Sequence, residues 1–280
     1  MTIGLIAGTG FENFDAMTVE DSLTLSTPWG SPSGPLLRGT LGGAPVLYLA
    51  RHGKGHALAP HAINYRANMA ALKEAGAKAI LAVYTVGGIT EPTWKPGTLV
   101  VPHQLIDYTW GREQSFSLEG EVLHVDFTDP YDETLRQALL AAAAPVQADA
   151  SLPLVSDGVY AAVQGPRLET AAEVDRLERD GCTIVGMTGM PEAGLARELD
   201  LPLAGLGLVV NPAAGRGSVS LPEIMAAAEA GRGRIMGVLA AAALGLPKTQ
   251  MLLAAVGVPV DTQNDSLTKR RSRDLPPWKQ

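Results

Sequence analysis

Short apolar runs alternate with alanine-rich stretches of helical spacing along most of this chain. The apolar runs predict strands at 3–7, 46–50, 79–85, 98–101, 155–162, 183–187 and 203–211. The intervening stretches predict helices at 61–75, 131–144, 169–179, 191–198 and 221–244, the last of them broken by Gly231 and Gly233. Strands interleaved with helices at this spacing predict the α/β class, a sandwich built around a mostly parallel sheet.

The predicted organisation is one domain followed by a tail. The strand and helix pattern fills residues 1–257, and no internal repeat interrupts it. Residues 258–280 are rich in basic residues and proline, so we expect a loosely ordered C-terminal tail. A solvated terminus is favoured over a nucleic-acid contact for this tail.

Composition narrows the functional classes. The chain has 280 residues, of which 46% are hydrophobic, which is enough for a large core. Its net charge of -7 argues against a nucleic-acid partner. No basic leader precedes the first strand, no apolar run is long enough to span a membrane, and the single cysteine, Cys182, favours a reducing compartment. We therefore expect a cytoplasmic protein without a membrane partner.

Two short motifs at predicted strand ends favour an anion site. Backbone amides in Gly8-Thr9-Gly10 and the Thr9 hydroxyl can donate to an anion, although a simple tight turn explains the same residues about as well. Arg51-His52 follows the second strand, where arginine can bind phosphate in a bidentate manner and histidine adds a donor. Taken alone, a surface pair at a strand end is the favoured interpretation of Arg51-His52. A metal site at His52, His56 and His61 is disfavoured, because glycines between them argue against a stable helix.

Two further polar residues lie at the ends of apolar strands. Thr188 follows Met187 where a helix is expected to begin near Pro191. Asn211 ends an otherwise apolar strand, and a buried amide is costly unless something pairs with it. A turn with Pro212 is the alternative for Asn211, and a small core residue is the favoured interpretation of Cys182.

In these motifs the chain resembles the trimeric purine nucleoside phosphorylases, in the branch that holds the methylthioadenosine and methylthioinosine phosphorylases. The resemblance runs from about residue 2 to about residue 244. It rests on motifs that are weak singly and specific together: Gly8-Thr9-Gly10, Arg51-His52-Gly53, Asn64-Tyr65-Arg66-Ala67-Asn68, Gly87-Gly88, Gln164-Gly165-Pro166-Arg167, and Gly186-Met187-Thr188 with Pro191-Glu192.

The resemblance implies a single α/β domain with a distorted mixed sheet, assembled as a homotrimer with active sites near the subunit interfaces. It implies that inorganic phosphate is the co-substrate and that no metal or organic cofactor is needed. It places phosphate against Thr9, Arg51, His52, Tyr84, Thr85 and Thr188. The resemblance also implies that Met187 packs against the ribose and that His124 reaches into the active site of the neighbouring subunit.

The residues expected to contact the purine base, here called the base side, favour a 6-oxopurine over a 6-aminopurine as the base of the substrate. The sequence reads Asn211, Pro212 and Ala213 where relatives that cleave 6-aminopurine nucleosides have an aspartate at the first and third of these positions. An asparagine offers a donor for a 6-carbonyl oxygen and an acceptor for N7–H. Glu169 can accept N1–H of hypoxanthine, although an exposed acid at a helix N-terminus is an alternative explanation.

The residues near the 5' carbon favour an apolar group. Leu221 aligns with a histidine that bonds the 5'-hydroxyl in inosine and guanosine phosphorylases, and leucine packs instead on a methylthio group. Leu168 stands where many relatives have an aromatic residue over the sugar. Together these positions select 5'-methylthioinosine, with Asn211 and His52 as the catalytic residues. An inosine/guanosine phosphorylase, a methylthioadenosine phosphorylase and a non-catalytic nucleoside-binding protein remain the alternatives.

Overall fold

The computed structural model of this chain describes residues 1–11, 14–145 and 153–255. The strands are β1 Ile3–Ala7, β2 Met17–Leu23, β3 Leu36–Leu41, β4 Ala44–Ala50, β5 Ala79–Gly88, β6 Leu99–Asp107, β7 Leu154–Ala162, β8 Ile184–Gly186 and β9 Leu203–Pro212. The helices are α1 Tyr65–Glu74, α2 Glu133–Ala143, α3 Ala171–Arg179, α4 Gly189–Glu198 and α5 Leu221–Ala255. The predicted tail, 258–280, lies outside the described residues.

All of these strands join one mixed sheet, in the order β2-β3-β4-β1-β5-β8-β7-β6-β9. Strand β1 lies between β4 and β5 and is parallel to both. Strand β5 also pairs in parallel with β9, so that the five strands from β5 to β9 close into a ring. Antiparallel pairs of β5 with β8 and of β6 with β9 complete the ring. The predicted α/β class with a distorted, mostly parallel mixed sheet is confirmed.

Helices cover both faces of the sheet because its central strands are apolar on both sides. Within β1, Leu5 packs into a cluster that includes Leu135 of α2 and Leu239 of α5. The next residue, Ile6, packs into a second cluster with Leu72 of α1 and other residues of α1 and α4. Alternate side chains of a strand point to opposite faces, so this alternation defines a three-layer sandwich.

The structure differs from the sequence prediction at its edge and in its last helix. Strands β2 and β3 were not predicted; five of the seven residues of β2 are exposed, which removes the apolar signal. The predicted break in the last helix is wrong, because α5 runs on through Gly231 and Gly233. A Cβ on Gly231 would lie 2.5 Å from Leu208 Cδ2, so this glycine permits close packing of α5 on β9.

Helix α1 begins later than predicted because a short 3₁₀ turn, Pro60–Ala62, precedes it. The Asn64 side chain accepts a hydrogen bond from the Ala67 amide, 3.1 Å away, and so caps the helix. None of the helices in the described ranges combines the length and the hydropathy needed to cross a bilayer.

Candidate functional site

The motifs after β1 and β4 lie side by side at one edge of the sheet. Ala7 pairs with Ala50 at the ends of these parallel strands, so the next residues of each strand leave the sheet together. A Cβ on Gly8 would lie 3.2 Å from Arg51 Nη1 and 3.1 Å from His52 Nε2. The Gly8 backbone, the guanidinium and the imidazole therefore face one small space, and Thr9 is half-buried beside it.

Arg51 is a buried cation held by a buried carboxylate. Its Nε lies 2.8 Å from Glu192 Oε2 and its Nη2 lies 3.1 Å from Oε1, with both side chains at most 2% exposed. Its Nη1 donates to Val83 O at 2.9 Å, and Nη2 also reaches Ile6 O at 3.4 Å. Although burial alone would lower the pKa of Arg51, the Glu192 charge raises it above the ordinary value.

This ion pair reduces the number of N–H groups that Arg51 can offer to an anion. A guanidinium carries five N–H groups. Within the described chain, Nε–H, both N–H groups of Nη2 and one of Nη1 are engaged. The remaining Nη1–H is on the nitrogen that faces Gly8. Arg51 therefore offers one N–H and its positive charge, rather than the bidentate contact that the sequence suggested.

His52 is oriented by the main chain. Its Nδ1 lies 2.8 Å from Leu58 O, and a carbonyl oxygen only accepts, so Nδ1 carries a proton and Nε2 is turned toward Gly8. The ring stacks on His56 with centroids 4.1 Å apart. Across the ranges that the structure describes, no three His, Cys, Asp or Glu side chains are grouped as a metal site.

Thr188 lies at the start of α4 and is 7% exposed. Its amide and that of Gly189 lie 3.3 and 3.4 Å from the Tyr160 hydroxyl. A Cβ on Gly186 would lie 2.2 Å from that hydroxyl, so glycine is required there for Tyr160 to reach the turn. Glu192 is on the first turn of the same helix. Its ion pair with Arg51 therefore links the start of α4, where Thr188 lies, to the edge of the sheet at Gly8.

Tyr84 and Thr85 lie on opposite faces of β5. The Tyr84 side chain is 1% exposed and sits in the core, with its ring 5.4 Å from the Arg51 guanidinium carbon. Burial raises the pKa of Tyr84 well above its ordinary value. Thr85 is half-buried. The structure thus places the Tyr84 side chain beneath the predicted phosphate site, where it supports Arg51.

Asn211 is the second-last residue of β9 and pairs with Gly87 of β5. Its Nδ2 donates to Pro212 O at 2.6 Å, and because a carbonyl only accepts, this bond fixes which end of the amide points there. The Oδ1 end is left as an acceptor. Ala213 is 1% exposed and donates its amide to Gly88 O, while Pro212 is half-buried. The turn predicted as the alternative for Asn211 is not formed, because Asn211 and Pro212 both belong to β9, and the bond to Pro212 O orients the amide.

Glu169 and Met187 lie on neighbouring segments. A Cβ on Gly165 would lie 2.4 Å from Met187 Sδ, so Met187 packs on the segment that leads to Glu169. Glu169 is half-buried just before α3, and burial raises its pKa above the ordinary value. By contrast, the pKa of Glu173 is lowered to about 2 by its hydrogen bonds to Arg167 and Thr170.

Three predicted site residues are exposed in the single chain. Leu168 is 42% exposed and Leu221, at the start of α5, is 70% exposed. His124 is exposed on the loop after the bridge between Leu118 and Glu121. Their roles toward the sugar and toward a neighbouring subunit stay predictions.

Sequence reasoning missed the residues that hold the site together. Glu192 and Tyr160 were not assigned roles, and neither was Arg112, which donates to the main chain on both sides of Thr188. The glycines beside Thr188 were the available signal, since Gly186 and Gly189 both lie against the Tyr160 ring.

Comparison with known proteins gives a consistent family. Residues 2–243 match the model of the phosphorylase superfamily. The chain is 52% identical over 246 residues to a probable S-methyl-5'-thioinosine phosphorylase of Pseudomonas syringae pv. tomato, covering 86% of this chain and 98% of that protein. It is 42% identical over 221 residues to a 6-oxopurine nucleoside phosphorylase of Pyrococcus furiosus, covering 76% and 80%.

A solved structure agrees with these relatives. A mutant of the adenosine/methylthioadenosine phosphorylase of Schistosoma mansoni, crystallised with methylthioadenosine, superposes with a TM-score of 0.83 at 31% identity. The match covers 94% of this chain and 99% of that one.

Proposed function

Because this chain belongs to the phosphorylase superfamily, we propose that it catalyses phosphorolysis of 5'-methylthioinosine to hypoxanthine and 5-methylthioribose 1-phosphate. This is a pentosyl transfer to inorganic phosphate. Several relatives at 41–52% identity carry the name "Probable S-methyl-5'-thioinosine phosphorylase". The observation that carries the proposal is the fixed amide of Asn211, whose Nδ2 bond to Pro212 O leaves Oδ1 as an acceptor. The half-buried Glu169 is proposed as the second polar group for the base.

The space around Gly8 is the proposed phosphate site. The buried Arg51 cation supplies one N–H and charge, and the Thr9 and Thr188 hydroxyls are further donors. His52 Nε2 donates to phosphate when the ring is protonated, because Nδ1 holds the single proton of the neutral ring. Low local polarity strengthens each of these interactions. The half-buried Thr85 is proposed to join them, whereas Tyr84 acts from below through Arg51.

The proposed reaction is a displacement at C1'. A phosphate oxygen forms a bond to C1' while the C1'–N9 bond breaks and its electron pair moves into the purine. N7 of the leaving base takes a proton from solvent, which is balanced by the proton that hydrogen phosphate releases as it becomes the dianionic ester. Asn211 Oδ1 accepts the resulting N7–H, and the second Nδ2 hydrogen is available to O6. Donors and acceptors aimed at charge that develops in the transition state supply most of such catalysis, together with positioning of the two substrates. The proposal uses no metal or organic cofactor.

The proposed assembly is a homotrimer in which His124 enters the neighbouring site. Apolar residues on the same segment are exposed, with Leu118 at 49%, Val122 at 62% and Val125 at 41%. A cluster of this kind is typical of a surface that another chain covers. The proposed compartment is the cytoplasm and the proposed ligands are a nucleoside and phosphate, without a nucleic-acid partner.

A side-by-side measurement of kcat/KM for 5'-methylthioinosine, inosine and 5'-methylthioadenosine, at saturating phosphate, tests the proposal. We expect methylthioinosine to lead inosine by about 10-fold or more, because an apolar wall at Leu221 leaves a 5'-hydroxyl unpaired. Inosine in first place would refute the apolar 5' pocket, and methylthioadenosine in first place would refute the base assignment. Base release that needs no phosphate would refute phosphorolysis itself.

Glu169 gives a pH prediction. Its carboxylate accepts N1–H more strongly when ionised than when protonated. Because burial raises the pKa of Glu169, activity is expected to fall on the acid side at a higher pH than for an ordinary glutamate. We expect the ratio of kcat/KM for wild type to that for Glu169→Gln to rise about 10-fold or more from about pH 4 to about pH 8.

The matched control is Glu173→Gln. The pKa of Glu173 is about 2, so this carboxylate stays ionised throughout that range and the corresponding ratio is expected to be flat. Taking ratios cancels the ionisation of phosphate, which is common to all the variants. A flat ratio for Glu169→Gln would remove Glu169 from base recognition.

A further inference from the structure

Arg112 is a half-buried arginine whose hydrogen bonds within the described part of the chain all go to neutral oxygens. Nη1 lies 2.9 Å from Met187 O, 2.6 Å from Met190 O and 3.2 Å from Tyr65 Oη. Nη2 lies 2.8 Å from Gln164 O and 3.3 Å from Val163 O, and Nε lies 3.3 Å from Gln164 Oε1. One side chain thus joins the ends of β7 and β8 to α1.

We propose that Arg112 is a positioning residue that sets the distance between the phosphate half and the nucleoside half of the site. The inference rests on the proposed function. Met187 and Met190 flank Thr188 on the phosphate side. Val163 and Gln164 lead into the segment that carries Glu169 on the base side.

The β7–β8 ladder joins the two halves as far as its last bond, from the Val163 amide to Gly186 O at 2.8 Å. Beyond that bond, few others among the described residues fix the distance between the segment after β7 and the segment after β8. The amide of Thr188 is held otherwise by the Tyr160 hydroxyl at 3.3 Å, which is long for a hydrogen bond. Met187 Sδ packs on Gly165, but a thioether contact is non-directional and adaptable. The planar fork of a guanidinium reaches both main chains in fixed geometry, which the single point charge of a lysine does not.

The consequence is specific to the step in which both substrates react. A displacement of about 1 Å between reacting groups costs on the order of 10²-fold in rate. Binding of one ligand alone does not depend on the distance between the two halves. We therefore expect Arg112→Met to lower kcat by about 100-fold while the Kd values of phosphate alone and of hypoxanthine alone change less than about threefold.

The matched control is Arg136→Met. Arg136 is another mostly buried arginine that donates to main-chain oxygens, with Nε 3.0 Å from Pro102 O and Nη2 2.6 Å from Ser156 O. It joins α2 to β6 and β7 and contacts none of the proposed site segments named above. We expect Arg136→Met to lower Tm without a comparable change in kcat.

All variants are assayed on the nucleoside that the wild type cleaves fastest, so a wrong substrate assignment does not affect the outcome. Tm and the two Kd values are measured on the same samples. In Arg112→Gly, added guanidinium is expected to restore part of kcat, and the Gly variant of Arg136 is expected to show no such gain. Arg112→Lys is expected to keep a lowered kcat with intact ligand binding. It replaces Arg112→Met as the test variant if the methionine variant does not fold.

A purely structural role predicts a different pattern. In that case kcat of the Arg112 variants would fall only in proportion to the folded fraction or to lost ligand binding, and guanidinium would restore nothing. That result, or a kcat within about threefold of wild type in Arg112→Met, would overturn the inference.

Discussion

Asn211→Ala is expected to lower kcat/KM for 5'-methylthioinosine by about 10²-fold or more, which is the usual cost of removing one group that stabilises transition-state charge. The loss follows from the orientation of the Asn211 amide. The Nδ2 bond to Pro212 O, 2.6 Å long, leaves Oδ1 as the acceptor for N7–H of the leaving base. Steady-state kinetics with methylthioinosine and saturating phosphate measure the effect.

The readout that separates catalysis from folding is phosphate binding. Asn211 is only half-buried, and its main chain stays paired with Gly87, so the Kd of phosphate in Asn211→Ala is expected to remain near the wild-type value. The catalytic assignment is falsified if turnover of the variant stays near normal. Asn211→Asp extends the test, because an aspartate loses the donor that suits a 6-carbonyl, so preference is expected to shift away from methylthioinosine and toward methylthioadenosine.

Much of the fold could be predicted because the central strands are buried on both faces. Strands such as β1 and β9 appear in the sequence as continuous apolar runs, and their burial is complete or nearly so. The edge strands carry no such signal. Gly39 of β3 shows why: a Cβ there would lie 2.0 Å from Thr18 O, so the position is explained by a cross-strand contact that no local pattern reveals.

The site could be predicted as a set of strand ends but not as a network. Parallel strands bring Gly8 and Arg51 to one edge, and this follows from topology alone. The partner of Arg51 lies 141 residues away, and Glu192 in the sequence has the ordinary appearance of an acid on a first helical turn. Long-range pairing of charges depends on packing, so the reduced donor set of Arg51 emerged only from the structure.

Glu192→Ala is expected to cost about 3–5 kcal/mol of unfolding free energy, because it leaves the Arg51 cation buried without its partner. It is also expected to abolish most activity, since Arg51 would no longer be held against Gly8. Chemical denaturation gives the first quantity and kcat/KM the second. Glu192→Gln retains the shape and part of the hydrogen bonding, so its loss of stability is expected to be smaller.

A double variant separates the structural and the functional role of the pair. Replacing a buried ion pair by apolar residues of similar volume is often neutral or stabilising, so Arg51→Met with Glu192→Leu is expected to recover most of the stability lost in Glu192→Ala. Because the cation is then absent, activity is expected to stay lost and phosphate binding to weaken. Recovery of activity in the double variant would show that the Arg51 charge is not needed for phosphate. A Glu192→Ala protein as stable as wild type would mean that Arg51 finds another partner or water, and the buried pair would then not be what fixes the Gly8 edge to α4.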